Sequence, residues 1–365
     1  MMPQTVPCTI MRGGTSKGIF FMEKNIPPPG SERDALLLKV MGSPDRRQID
    51  GLGGADPLTS KVAIISPSER PDADINYTFA QVDLQQPLVG YAGNCGNITA
   101  ATGLFAIQEG LVGITEPFTV VKVFNTNTKK MLLLYVPCSD GAPEEEGTYV
   151  IDGVPGSSPR IDIDFSLTAG AVTGKLLPTG NTADLLEVPG LGEIKCSIVD
   201  IANPCAFVHA GDLGLNGRET PEQLEKMPEI KKNLELIRTM AGKLAGIPEN
   251  PGLPMLAFVS APDKDEREYN IISRLMFMQA MHKAYSGTAA ICTAVAAGIK
   301  GTIANAYARY EEGEINIGHP LGGIAVEVRV NKNGNVVMVE KAAIGRTARR
   351  ILDGNVFINM TGKEA

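Results

Sequence analysis

Two stretches decide the fold: Asn94-Cys95-Gly96-Asn97-Ile98-Thr99-Ala100-Ala101 and, 191 residues later, Tyr285-Ser286-Gly287-Thr288-Ala289-Ala290-Ile291-Cys292. Each puts a small nucleophile-type residue, Cys95 or Ser286, before a glycine and a run of small and apolar residues. At the same shift Gly110-Leu111-Val112 lies over Gly301-Thr302-Ile303. Small side chains suit a helix buried on most sides and packed closely on a sheet. The glycine start suits a helix N-terminus whose free amides point outward. The pattern predicts a duplicated chain with one such helix per half, Cys95 facing Ser286 across a cleft at two positive helix ends. A carboxylate bound there would be held by backbone amides without an arginine. A helix N-terminus also favours a thiolate, which would make Cys95 a usable acid or base. The bland alternatives are chance similarity of composition and an inert buried thiol. The Asn and Gly flanking Cys95 belong to a turn rather than a core.

Working outward, β-branched and apolar runs predict strands at Lys61–Ser66, Thr119–Phe124, Met131–Val136, Ile194–Asp200, Ala206–His209, Met255–Val259, Gly323–Val330 and Val336–Glu340. Helix signals are fewer. Ser31–Met41 opens on a candidate Ser cap with Glu32 and Asp34 in its first turn. Thr220–Leu244 reads as one helix, with a Thr cap, Pro221 and a 3.6-residue apolar period. Strands and helices mixed along both halves predict an α+β architecture. The Pro/Gly-rich stretch Leu177–Gly192 is a candidate crossover, which sets two expected domains at 1–184 and 185–365, the last strand crossing back to the first.

The 365 residues are 43% apolar and 21% charged, a globular composition with a sizeable core. A net charge of −7, 5% aromatics and no Trp argue against nucleic acid as a partner. No run approaches a membrane span and no signal peptide is visible, so a cytoplasmic location is expected. The six cysteines (8, 95, 138, 196, 205, 292) form no CxxC, and the three histidines (209, 282, 319) lie far apart. They read as reduced thiols without a zinc site, and no metal is expected.

Among other candidate residues, Lys61 would share one strand face with Ala63 and Ile65. Partial desolvation there would make a lysine a general base, the alternative being a snorkelling or edge-protecting role. Met11–Gly18 is a glycine loop offering the hydroxyls of Thr15 and Ser16. Arg274, His319 and the Arg346-Thr347-Ala348-Arg349 run offer groups for carboxylates. Asp200–Pro204 reads as a structural turn.

Taken together, MRGGTSKG (11–18), GSPDRRQIDGLGGADPLTSK (42–61), AGNCGN (92–97), IDGVPG (151–156), DIANP (200–204), GHPLGG (318–323) and RTAR (346–349) resemble the PrpF-like isomerases. That family includes 2-methylaconitate, methylitaconate and aconitate isomerases and 4-oxalomesaconate tautomerase, on a diaminopimelate-epimerase-like fold. The resemblance implies two similar α+β domains, each a barrel-like sheet around a central helix, with the active site in the cleft between them. It implies Lys61 and Cys95 as the acid/base residues, and substrate binding by Thr15, Ser16, Asn94, Gly96, Asn97, Arg274, Ser286, Gly287, Thr288 and His319. The implied reaction is a cofactor-independent proton shift in an unsaturated di- or tricarboxylate, moving or inverting the double bond. A keto-enol tautomerase of oxalomesaconate is the alternative. Relatives of this fold that racemise amino acids use two cysteines, and serine at 286 disfavours that reading. A non-catalytic carboxylate binder is the remaining rival. The only partner expected is a small acid, with a homo-oligomer open.

Overall fold

The computed structural model describes residues 4–91, 94–249, 252–310, 312–333 and 336–358. The chain forms two compact units, Met1–Ile163 with Gly345–Ala365, and Asp164–Ile344. The first unit thus ends before residue 184 and takes back the C-terminal strand. The Leu177–Gly192 stretch belongs to the second unit, where Asp184–Val188 pairs with Gly192–Val199 and Ser197 Oγ donates to the Thr182 carbonyl at 2.6 Å.

In the first unit Gln4–Gly13 pairs antiparallel with Ala348–Ile358 on one side and Ser16–Met22 on the other. Pairing continues parallel to Lys61–Pro67, antiparallel to Ile75–Val82, parallel to Phe118–Asn125 and antiparallel to Lys130–Ser139. One face of this sheet wraps the helix Gly96–Gln108, which carries no charged residue and is buried from Ile98 to Ile107. A helix apolar all round can only be stable inside a protein. Its buried hydroxyls bond locally: Thr102 Oγ1 donates to the Thr99 carbonyl and Thr99 Oγ1 to that of Cys95. At Gly103 a side-chain β-carbon would lie 3.0 Å from Leu134 and 3.1 Å from Val136, so the missing side chain lets the sheet close on the helix. The opposite face is covered by the helix Ser31–Met41, whose Leu36, Leu37, Val40 and Met41 pack on Val62, Ile64, Ala80 and Val82. Gly30 rather than Ser31 caps that helix, with no side-chain cap bond.

The second unit repeats this order. Gly192–Val199 pairs antiparallel with Cys205–His209, then come parallel Met255–Ser260, antiparallel Ile271–Phe277, parallel Gly313–His319 and antiparallel Gly322–Asn333. Its central helix is Gly287–Gly298, buried from Ala289 to Ala297. The outer face is covered by Pro228–Leu244, which buries Leu234, Ile237 and Ala241. The single helix expected over Thr220–Leu244 is two, Pro221–Glu225 and Pro228–Leu244. Pro228 cannot continue the first and opens the second. The apolar period survives the break because Leu224 and Leu234 enter one core cluster.

Candidate active site

Both expected central helices start where the repeat places them, at Gly96 and Gly287. Cys95 is the N-cap of the first, half-buried and free, and its side chain makes no capping bond. Asn94 Oδ1 instead accepts from Thr99 Oγ1 at 3.0 Å. The thiol and the first helical amides are therefore left available at a positive helix end.

The hairpin turn Gly14-Thr15 is clamped onto this helix start. Asn97 Nδ2 donates to Thr15 Oγ1 at 3.0 Å, and Asn97 Oδ1 accepts from Arg346 Nε at 3.2 Å. The half-buried Arg346 reaches the site because the chain returns to the first unit at Gly345. Burial pushes its guanidinium down from the usual range, partly offset by charge on Tyr149 and Cys95. Thr15 is exposed, whereas Ser16 is 2% exposed and its hydroxyl has no hydrogen-bond partner. Tyr77 is also fully buried, its hydroxyl near Thr99 without a well-formed bond, and burial raises its phenol well above the normal range.

Lys61 is the first residue of its strand and is 7% exposed. Its register neighbours are Gly18 and Gln81. A β-carbon at Gly18 would lie 3.0 Å from Ile98, so these residues occupy the face that holds the central helix. Lys61 Nζ donates to Gln81 Oε1 at 2.8 Å and lies 5.3 Å from the Phe79 ring centroid. No carboxylate pairs with it among the described residues. Lys61 thus sits buried between a neutral acceptor and an aromatic face.

In the second unit Ser286 caps its helix by accepting from the Ala289 amide at 3.1 Å. Asn203 Nδ2 donates to Thr288 Oγ1 at 3.0 Å, the counterpart of the Thr15–Asn97 clamp. The turn read from sequence as merely structural thus holds the helix start. His319 Nδ1 accepts from the Leu321 amide, and its ring lies 6.4 Å from that of Tyr285. Arg274 is 7% exposed and donates to the carbonyls of Glu219 at 2.8 Å and Ser273 at 2.9 Å. Those contacts brace the backbone. At the register position of Lys61 stands Met255: Gly18 opposes Lys61 as Cys205 opposes Met255. The Ser286 hydroxyl lies 3.8 Å from the Met255 sulfur. Gln81 and Met255 carry no motif in the sequence. Register alone brings them forward, whereas the RTAR run did flag Arg346.

The sequence matches the profile described as "PrpF protein" over residues 3–359. The chain belongs to the PrpF family. It is 48% identical to 3-methylitaconate isomerase of Eubacterium barkeri, over 97% of either chain. It is 40% identical to 4-oxalomesaconate tautomerase of Pseudomonas putida, over 97% of this chain and 96% of that one. The crystal structure of methylitaconate-delta-isomerase superposes with a TM-score of 0.90 at 47% identity, covering 98% of this chain and 96% of that one. A hydroxyproline epimerase from Agrobacterium vitis, at 12% identity and a TM-score of 0.54 over 98% of this chain and 94% of that one, shares the fold alone. This PrpF protein is an isomerase with an α+β, diaminopimelate-epimerase-like fold. Among its described residues no helix is long and apolar enough to cross a membrane.

Proposed function

We propose that this PrpF protein moves a proton, and with it a C=C bond, within a small unsaturated di- or tricarboxylate, and that methylitaconate is its nearest substrate type. The observation that carries the reading is Lys61, 7% exposed, hydrogen-bonded among the described residues only to a neutral amide and set on the face of the Cys95 helix start. The 48% identity to 3-methylitaconate isomerase supports the substrate class.

In this scheme the Lys61 amine takes a proton from the carbon allylic to the double bond. The electron pair left behind spreads through the double bond into a carboxylate, giving a dienolate. The amides of Gly96 and Asn97 and the Arg346 guanidinium stabilise its oxyanion. The proton returns at the other end of the allylic system, from Lys61 or from Cys95, with no cofactor in the cycle. Thr15, Ser16 and Asn94 shape this end of the site. Ser286, Gly287, Thr288 and His319 are assigned carboxylate binding, and Arg274 the bracing of the strands beneath them.

The test is proton NMR in deuterated buffer with methylitaconate, dimethylmaleate, cis- and trans-aconitate and an oxalomesaconate source. Wild-type protein should give new vinyl or methyl signals with deuterium at the allylic carbon. Lys61→Ala should lose turnover by at least about 1000-fold while melting normally. Near-normal turnover in that variant ends the proposal. The 40% identity to 4-oxalomesaconate tautomerase keeps ketonisation as a second reading, which the same panel decides.

A further inference from the structure

We infer that Gln81 is the positioning residue for Lys61: it fixes Nζ with a neutral acceptor and so sets the pH at which that amine becomes available. The inference rests on Lys61 being the base. Gln81 is itself locked, its Nε2 donating to the carbonyls of Ser60 at 2.9 Å and Pro57 at 3.1 Å. Both of those acceptors lack protons, so the amide must present Oε1, not Nε2, to Lys61 Nζ at 2.8 Å. Two backbone carbonyls thus orient one side chain toward the ammonium of another, 20 residues away in sequence and adjacent in register. Phe79, on the same strand and face, limits Nζ from the side, 5.3 Å to its centroid.

The surroundings make this acceptor decisive. On the strand Ile75–Val82 the other titratable group on that face is the phenol of Tyr77, kept protonated by burial. On Ser16–Met22 the same face carries Ser16, Gly18 and Phe20, and on the lysine's own strand Ala63 and Ile65, none of which titrates near neutrality. The packed helix Gly96–Gln108 has no charged residue, its cap contributes the Cys95 thiol, and Arg346 beside it is cationic. In the preceding loop Asp56 is exposed and turned to the Leu58 amide. Among the described residues no carboxylate faces Nζ. A glutamate at position 81 would hold the ammonium as an ion pair, whereas glutamine offers it a neutral acceptor.

The experiment is a lysine ¹³Cε/¹⁵Nζ NMR titration of the full chain, with the Lys61 signal assigned by its loss in Lys61→Met. Gln81→Glu should raise the Lys61 midpoint by at least about one pH unit, and Gln81→Met should lower it, because an acceptor of the charged form is lost. The acid limb of the kcat profile should move with each midpoint. Equal midpoints in all three proteins, or shifts of the same sign in both variants, overturn the inference. If Gln81→Glu does not fold, the downward shift in Gln81→Met decides alone. Turnover retained in Lys61→Ala would instead sink the base assignment, so the two failures are distinguishable.

Discussion

Gly13→Ala is the sharpest probe of how tightly the hairpin and the central helix Gly96–Gln108 are fitted. A β-carbon at Gly13 would lie 2.2 Å from the Asn97 carbonyl oxygen, and contacts under 3.0 Å are essentially never seen. The obstacle is backbone, so no rotamer change relieves it. The hairpin and helix must separate by about 0.8 Å or more. Asn97 is also the residue that holds both Thr15 and Arg346, so the separation acts on the site directly. Overpacking of this kind costs about 1–3 kcal/mol, which in a unit of this size lowers the melting temperature by about 2–12 °C. A displacement approaching 1 Å in a catalytic site costs on the order of 100-fold in turnover. Gly113→Ala is the control, since a β-carbon there meets nothing within 4 Å. Melting curves and initial isomerisation rates, measured on both variants, decide the matter. Wild-type melting and turnover in Gly13→Ala would refute the claim that this contact sets the geometry.

Arg346→Met should lower kcat/KM by about 10- to 150-fold, chiefly through kcat, the worth of one charge-assisted bond to the developing oxyanion, with melting little changed. Unaltered kinetics would remove Arg346 from that role. In the second unit, two bonds of 2.7 Å from Arg238 hold the Glu235 carboxyl below its usual range. Because the folded value is depressed, this pair stabilises the protein above about pH 4.3 and its contribution fades as pH falls below that. Glu235→Gln should therefore melt lower than wild type at pH 7, with the gap narrowing below pH 4. A constant gap would contradict the assignment.

The central helices were legible because their signal is local: a glycine start, then residues too small to face water profitably. Their topology followed from the same repeat. The return of the last strand to the first unit was an expectation, yet the residues of that strand carry no comparable local signal. In Ala348–Ile358 the residues Arg349, Arg350, Asp353, Gly354 and Asn355 break any apolar alternation, and the partner strand begins at Gln4. Arg346 could thus be named as a carboxylate ligand from its run but not placed beside Asn97. Gln81 was invisible for the same reason, since its meaning depends on a pairing across a turn. Thr220 did read correctly as a cap, forming a full capping box with Gln223, while the break at Pro228 was masked by a period that both helices share.

The two units share one pairing scheme, so their differences at matched positions carry the chemical argument. Cys95 leaves its thiol out of the cap, while Ser286 spends its hydroxyl on one. Lys61 has Met255 as its counterpart, 1% exposed, and a thioether cannot accept a proton from carbon. Inverting a stereocentre with two opposed bases requires a proton acceptor at each helix start, and at these matched strand and cap positions only the first unit carries a lysine and a cysteine. On the proposed assignment of Lys61 as the base, removal and return of the proton fall to groups at one helix start, which suits moving a double bond along an allylic system. That arrangement also predicts that some of the proton returns before exchanging with solvent. Substrate deuterated at the allylic carbon, turned over in ordinary water, should yield product retaining part of the label. Complete washout in a single turnover would show that the returning proton comes from Cys95 or that Lys61 first equilibrates with water.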